Sequence, residues 1–158
     1  MRAVAMIKPE YWSNVYSILR TADGLGLDSV YIVDYERKLD KRIKQKLYSG
    51  KEPWNKLQFV SMDFFIREVL SKYNPVALEI VDGATPIDSY TWKENSIIIL
   101  GPENGNVPDD ILSISDCVVI PMSGKTRCMN VACAGSIGIW SMVSSLNNNV
   151  TGGNIINE

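Results

Sequence analysis

The sequence predicts an α/β fold, a mostly parallel sheet with helices on both faces. Short segments at 3–7, 29–33, 96–100 and 117–120 are unbroken apolar runs, as expected of strands covered on both sides. Longer stretches with helical apolar spacing alternate with them, the pattern that builds parallel sheets. The chain has 158 residues, 46% hydrophobic and 22% charged, enough to bury one core and too apolar for disorder. One domain spanning 1–158 is expected, with an Asn- and Gly-rich tail at 148–158 that frays.

The first strand, Ala3–Ile7, stops at Lys8-Pro9. A helix is predicted over 13–26. Val15, Ile18, Leu19, Ala22 and Leu25 share a face, Ser13 suits the N-cap, and Gly26 suits the residue just past the last turn. A strand follows at Ser29–Val33, then a basic helix over 40–48 and a weak strand at Leu57–Val60. Phe64, Phe65, Val69 and Leu70 give a helix over 63–73 its apolar face. VALEIV at 76–81 reads as a strand, and Ser96–Leu100 as the most central one. A short Pro-started helix is predicted over 108–112, and a strand over 117–120 halted by Pro121. A long helix of small and apolar residues closes the chain over 130–146.

Several function classes are excluded at once. There is no histidine, which removes the commonest metal ligand and every Ser-His or Cys-His dyad; no metal is expected. No apolar stretch approaches the roughly 18–20 residues of a membrane span, and no secretory leader is read. Three cysteines with no CxxC spacing suit a cytoplasmic protein. Neither a P-loop nor a GxGxxG fingerprint follows a strand.

Net charge is −2, yet seven of the sixteen cations crowd into 37–51 against the single acid Asp40. The set includes Arg37, Lys38, Lys41, Arg42 and Lys44. It is either a solvated helix face or a phosphate-tracking patch.

Ligands of parallel sheets gather at the carboxyl ends of strands. Two glycine loops lie there. LGPENGNVP at 100–108 places Glu103 just beyond a buried strand. IPMSGKTRCMNVA at 120–132 leads into the last helix, with Asn130 as a candidate N-cap and Lys125 and Arg127 as candidate anion ligands. Asn14 and Arg20 sit on the first helix, some 120° apart around its axis. An ion pair with Asp23 or Glu103 is the plain structural role for Arg20.

Together these segments resemble the SpoU/TrmH-type RNA ribose methyltransferases of the SPOUT class. NVYSILRTADGLGLDSVYIV is similar to their motif 1, IIILGPENGNVP to motif 2 and CVVIPMSGKTRCMNVACAG to motif 3, in the same order and at similar spacing. The stretch at 48–54, YSGKEPW, resembles a loop these enzymes carry between motifs 1 and 2.

The resemblance implies a C-terminal trefoil knot, a homodimer and S-adenosyl-L-methionine bound in the knot. It implies an RNA 2′-O-ribose methyltransferase acting on tRNA rather than rRNA. By position, Arg20, Asn14, Glu103 and Asn130 match the catalytic residues of the motifs. Leu78, Gly101, Ile120, Met122 and Met129 fall at the cofactor loops. We expect Arg20 to act as an electrostatic clamp, because a guanidinium with a pKa above ~12 is a poor base. With this resemblance, 37–51 becomes the best candidate for RNA backbone contact.

Some residues depart from the family. Tyr16 stands where a small residue is common and is expected to narrow or reshape the pocket. Cys128 replaces a serine, which we read as a neutral packing change. Trp54 reads as a loop anchor and Trp140 as core or dimer interface. A catalytically weak knotted RNA- or nucleotide-binding module is the alternative, with an unknotted flavodoxin-like domain behind it.

Overall fold

The computed structural model describes residues 1–37, 41–51 and 53–150, excluding the side chains of Tyr48 and of residues 148–150. Lys38 and Asp40 therefore lie outside the described residues, as does 151–158.

Among the described residues, seven parallel strands form one sheet: β1 (Ala3–Ile7), β2 (Ser29–Val33), β3 (Leu57–Val60), β4 (Asn74–Leu78), β5 (Thr85–Pro86), β6 (Ser96–Leu100) and β7 (Asp116–Val119). Their order across the sheet is β3-β2-β1-β6-β4-β7-β5. Every residue of β1 and β6 is buried, so these two adjacent strands are the spine of the fold. Alternation along the strands divides the core in two. Val4, Met6, Val30, Ile32, Ile98 and Leu100 face one side, while Ala5, Ile7, Tyr31, Val33, Ile97 and Ile99 face the other.

Helices α1 (Trp12–Gly24) and α5 (Val131–Val150) cover the first side. Ser13 is not the cap of α1. The helix starts one residue earlier, with Tyr11 at the N-cap and no side-chain bond there. The other end follows the glycine rule. Gly26 has φ +72°, its N–H donates to the Asp23 carbonyl at 3.1 Å, and Leu27 N–H donates to Ala22 at 2.8 Å. Leu27 is itself buried, which pins the return into β2.

The small residues of α5 serve packing inside the chain. A Cβ on Gly135 would lie 2.6 Å from both Ile18 Cδ1 and Leu100 Cδ1, and one on Gly138 would lie 3.2 Å from Leu78 Cδ2. The helix runs to Val150, four residues beyond the predicted end at 146.

On the opposite face, the predicted helix over 63–73 is three short turns that we label together α3 (62–72). Met62–Phe64 is α, Phe65–Val69 is π and Leu70–Lys72 is 3-10. Ser61 caps it by accepting from Phe64 N–H at 3.2 Å. Phe65, Val69 and Leu70 are buried, but Phe64 points out. A basic helix α2 (Lys41–Tyr48) and a 3-10 turn at Trp54–Lys56 connect β2 to β3. A short helix, α4 (Asp109–Leu112), has Pro108 at its N-cap.

β4 starts two residues before the predicted 76–81 and ends at Leu78, although the N–H of the next residue, Glu79, still donates to the Val118 carbonyl of β7 at 3.0 Å. Its carboxylate turns to accept from Val107 N–H at 2.9 Å and from Ile80 N–H at 3.0 Å. β5 was not expected: two residues with a proline carry no apolar signal, and proline is tolerated on an edge strand. Among the described residues, no helix is long and apolar enough to cross a membrane.

Candidate active site

The carboxyl ends of β6, β4 and β7 open on a cavity of about 560 Å³. Its walls come from five places: the start of α1 (Tyr11, Asn14), the end of β4 (Leu78–Ile80), the 100–106 loop, Ile120 with Met122, and the 128–134 stretch entering α5. The site thus forms where the sheet places ligands.

A chain of hydrogen bonds ties these walls together. Glu103 Oε2 accepts from Glu10 N–H at 2.8 Å, and Oε1 accepts from Tyr11 N–H at 3.2 Å and from Asn14 Nδ2 at 2.8 Å. Asn14 Oδ1 accepts from Asn130 Nδ2 at 3.1 Å. Asn130 Oδ1 accepts from Ala132 N–H at 2.8 Å and Cys133 N–H at 3.2 Å, capping α5 as predicted. The buried Asn14 must donate with one end and accept with the other, which only a carboxamide of this length does here.

Burial pushes the Glu103 carboxyl up, but the Glu10 amide, the Asn14 side chain and the Tyr11 amide outweigh it, holding it below the usual carboxylate range. Glu103 is therefore an acceptor committed to the scaffold, not a proton shuttle near neutral pH.

All five expected cofactor residues, Leu78, Gly101, Ile120, Met122 and Met129, line the cavity, as do Asn14, Glu103 and Asn130. Gly101 is required by space: a Cβ there would sit 2.9 Å from the Val107 nitrogen and 3.1 Å from the Asn106 carbonyl carbon. Among the described residues, the lining contains Glu79 and Glu103 but neither lysine nor arginine. A ligand carrying positive charge suits such walls better than a phosphate.

Arg20 does not line this cavity. It is exposed, and its guanidinium carbon lies 5.8 Å from the centroid of the Tyr16 ring. Its suggested acidic partners are engaged elsewhere, Asp23 with Lys56 at 2.9 Å and Glu103 in the network above. Tyr16 does not narrow the cavity. It stacks on Trp54 at 5.7 Å and 18°, and Trp54 stacks on Trp12 at 6.3 Å and 8°. Trp54 is indeed a loop anchor, only 8% exposed, whereas Trp140 is 60% exposed on α5. Lys125 and Arg127 are exposed and do not line the cavity.

The basic segment divides. Arg37 lies 3.7 Å from Glu10 and over the Tyr11 ring at 5.8 Å, near the cavity mouth. Lys41 and Lys44 are exposed on α2, and Arg42 faces Lys46, Ser49 and Lys51.

Sequence reasoning missed Glu79. The available signal was a lone carboxylate interrupting an apolar strand run.

A model of the SpoU rRNA methylase family matches residues 1–140. The chain belongs to that family. A mouse tRNA (guanosine(18)-2′-O)-methyltransferase is 26% identical over 133 residues, covering 81% of this chain. The chain spans only 8% of that relative's length. A solved chain from work on 2-OH methylation of C/U34 on tRNA superposes with a TM-score of 0.77 at 22% identity, covering 93% of this chain and 91% of that one. A SpoU methyltransferase from Streptomyces viridochromogenes in complex with AdoMet gives 0.75 at 20% identity, covering 95% and 61%. These likenesses fix the SpoU fold.

Proposed function

We propose that the protein is an S-adenosyl-L-methionine-dependent RNA 2′-O-ribose methyltransferase acting on tRNA. The observation that carries this is the cavity itself: a SpoU-family chain in which Asn14, Glu103 and Asn130 lock three loops around acidic and backbone walls. The volume, the absence of cations from the described lining residues and the close approach at Gly101 all suit this cofactor. Leu78, Ile120, Met122 and Met129 would flank its apolar and adenine surfaces, with Glu79 and Glu103 favouring its positive charge.

When bound, the cofactor supplies an electrophilic methyl group on a sulfonium. The residues of this chain do the rest by placement. Asn14, Glu103 and Asn130 are positioning residues that hold the loops in register. Arg20 carries a permanent charge for the RNA phosphate and for the alkoxide developing on the ribose oxygen.

Arg20 is outside its own cavity, so the reading includes a homodimer. Ile137 and Trp140, 40% and 60% exposed, share one face of α5, and Thr21 of α1 meets Ser136 of α5 at 3.1 Å. A second copy on this α1–α5 face buries those apolar side chains and lets Arg20 serve the other copy's cavity. The 120–130 loop threaded through a trefoil knot belongs to the same proposal. So does a cytoplasmic setting, which suits three unbridged cysteines.

Calorimetry with S-adenosylmethionine and transfer of labelled methyl to bulk tRNA test the proposal. Saturable binding and label in alkali-resistant dinucleotides, the mark of a blocked 2′-hydroxyl, are expected. Binding without transfer to any RNA would establish the knotted binding module instead.

A further inference from the structure

Methyl transfer to a ribose 2′-hydroxyl constrains where the rest of the nucleotide goes. The carbon that bears the reacting oxygen is bonded to the carbon that bears the base. A base whose ribose meets the methyl donor must therefore lie at the rim of the donor's cavity, out of any helical stack. Among the described residues, the aromatic side chain in the lining of that cavity is Tyr11. It is 53% exposed, at the turn from β1 into α1. Tyrosine is a poor N-cap and its side chain makes no capping bond, so the ring at this place does nothing for the helix.

The backbone beneath the ring is fixed on both sides. Tyr11 N–H donates to Glu103 Oε1 at 3.2 Å, and the Tyr11 carbonyl accepts from Asn14 N–H at 3.0 Å and from Val15 N–H at 3.4 Å. The ring thus hangs from the Glu103–Asn14 network that shapes the cavity. It is also steadied from the side. The Arg37 guanidinium carbon lies 5.8 Å from the ring centroid, within cation–π range, and Arg37 reaches Glu10 Oε2 at 3.7 Å. Asn104 Nδ2 donates to both oxygens of Glu10, at 2.9 and 3.0 Å, so Glu10 joins Arg37 to the 100–106 loop. The rings of Trp12, Tyr16 and Trp54 stack on one another outside the cavity lining.

We propose that Tyr11 is the stacking platform for the base of the nucleotide being methylated, with Arg37 holding the ring in place. This rests on the reading of the protein as an RNA 2′-O-methyltransferase, and it narrows the substrate to a nucleotide in a loop, a bulge or a single strand. Stacking uses the π-face that every base has, so the platform itself tolerates any base.

The test compares full-length Tyr11→Leu, which keeps apolar volume without a ring, with Tyr11→Phe. With bulk tRNA as acceptor, Tyr11→Leu should lower kcat/KM for RNA about tenfold, as the loss of one base–aromatic stack predicts. Tyr11→Phe should hold near the native value, and S-adenosylmethionine affinity, read by calorimetry, should stay constant in both. Native kcat/KM in Tyr11→Leu, or an equal loss in Tyr11→Phe, overturns the platform. A parallel fall in cofactor affinity overturns it too, because the ring would then belong to the donor. A second readout needs no methyl transfer. Binding of a labelled single-stranded oligoadenylate should weaken about tenfold in Tyr11→Leu, whereas the same strand annealed to oligouridylate should bind both proteins alike. Unchanged binding of the single strand, equal weakening of strand and duplex, or no binding of the strand by the native protein each overturns the platform. Strand binding that depends on Tyr11 without methyl transfer by the native protein would sink the enzymatic reading while leaving the platform standing. Transfer indifferent to Tyr11 would do the reverse.

Discussion

The cavity under Asn14 is walled by backbone, aliphatic side chains and two carboxylates, whereas the concavity beside α2 is lined by Arg42, Lys46 and Lys51, with Lys46 Nζ 5.3 Å from the Trp54 ring. The first is held by hydrogen bonds among residues 89 to 116 apart in sequence. The second is held by ring stacking and a single local helix. The difference separates two tasks. Uncharged and acidic walls suit a cationic small molecule, and a dense cationic face suits a polyanion that must arrive and leave. Arg20 belongs to neither interior; it sits on the Tyr16 ring at the edge of the cationic side.

The sharpest way to break that division is Arg20→Ala. Loss of one charge that acts on the developing alkoxide costs on the order of 10²–10³ in turnover by analogy with oxyanion donors. Cofactor affinity should not move, since Arg20 does not line the cavity. Measured methyl transfer and calorimetry on the same preparation check this. Parallel loss of both would mean that Arg20 supports the fold and that the two regions are not separable.

Gly101→Ala attacks the other side. The new Cβ meets the Val107 nitrogen and the Asn106 carbonyl carbon, both backbone, so the 101–107 loop must shift. Overpacking of this kind costs about 1–3 kcal/mol of stability, and the displaced loop should lower cofactor affinity about tenfold. Binding of the single-stranded oligoadenylate should survive. A fall in its affinity instead would carry the RNA past Tyr11 onto the 101–107 loop.

β1, β2, β6 and β7 were legible to within one residue because they are dominated by apolar runs, and a parallel sheet leaves such runs few alternatives. Cavity residues were legible because they follow those strands directly. What sequence did not disclose depends on side-chain direction. Tyr16 and Arg20 are four apart and so share a helix face, but the helical spacing says nothing of Trp54 meeting that face from 38 residues away. Glu79 was hidden inside an apolar run whose length suggested a longer β4. The π turn in α3 likewise has no sequence mark, and Phe64 just before it is exposed.

The mildest predicted change is Glu103→Gln, and it refines the comparison by asking what the cavity owes to charge. The Glu103 carboxylate accepts three hydrogen bonds, two from main-chain amides. A carboxamide keeps one acceptor oxygen and turns an NH₂ toward donors, leaving at least one amide unmatched, at a cost of about 1–2 kcal/mol. The folded carboxyl is held below its ordinary value, so the native protein binds fewer protons here than the unfolded chain does. Its stabilisation is complete above the unfolded value and disappears as pH falls through the folded one. Thermal melts of the native protein should therefore lose stability on the acid side of that window. Glu103→Gln should start lower at neutral pH and show a shallower acid limb, the two curves converging as the native carboxylate protonates. Parallel curves would show that the hydrogen bonds at Glu103 do not need its charge, and the acidic character of the cavity would then rest on Glu79.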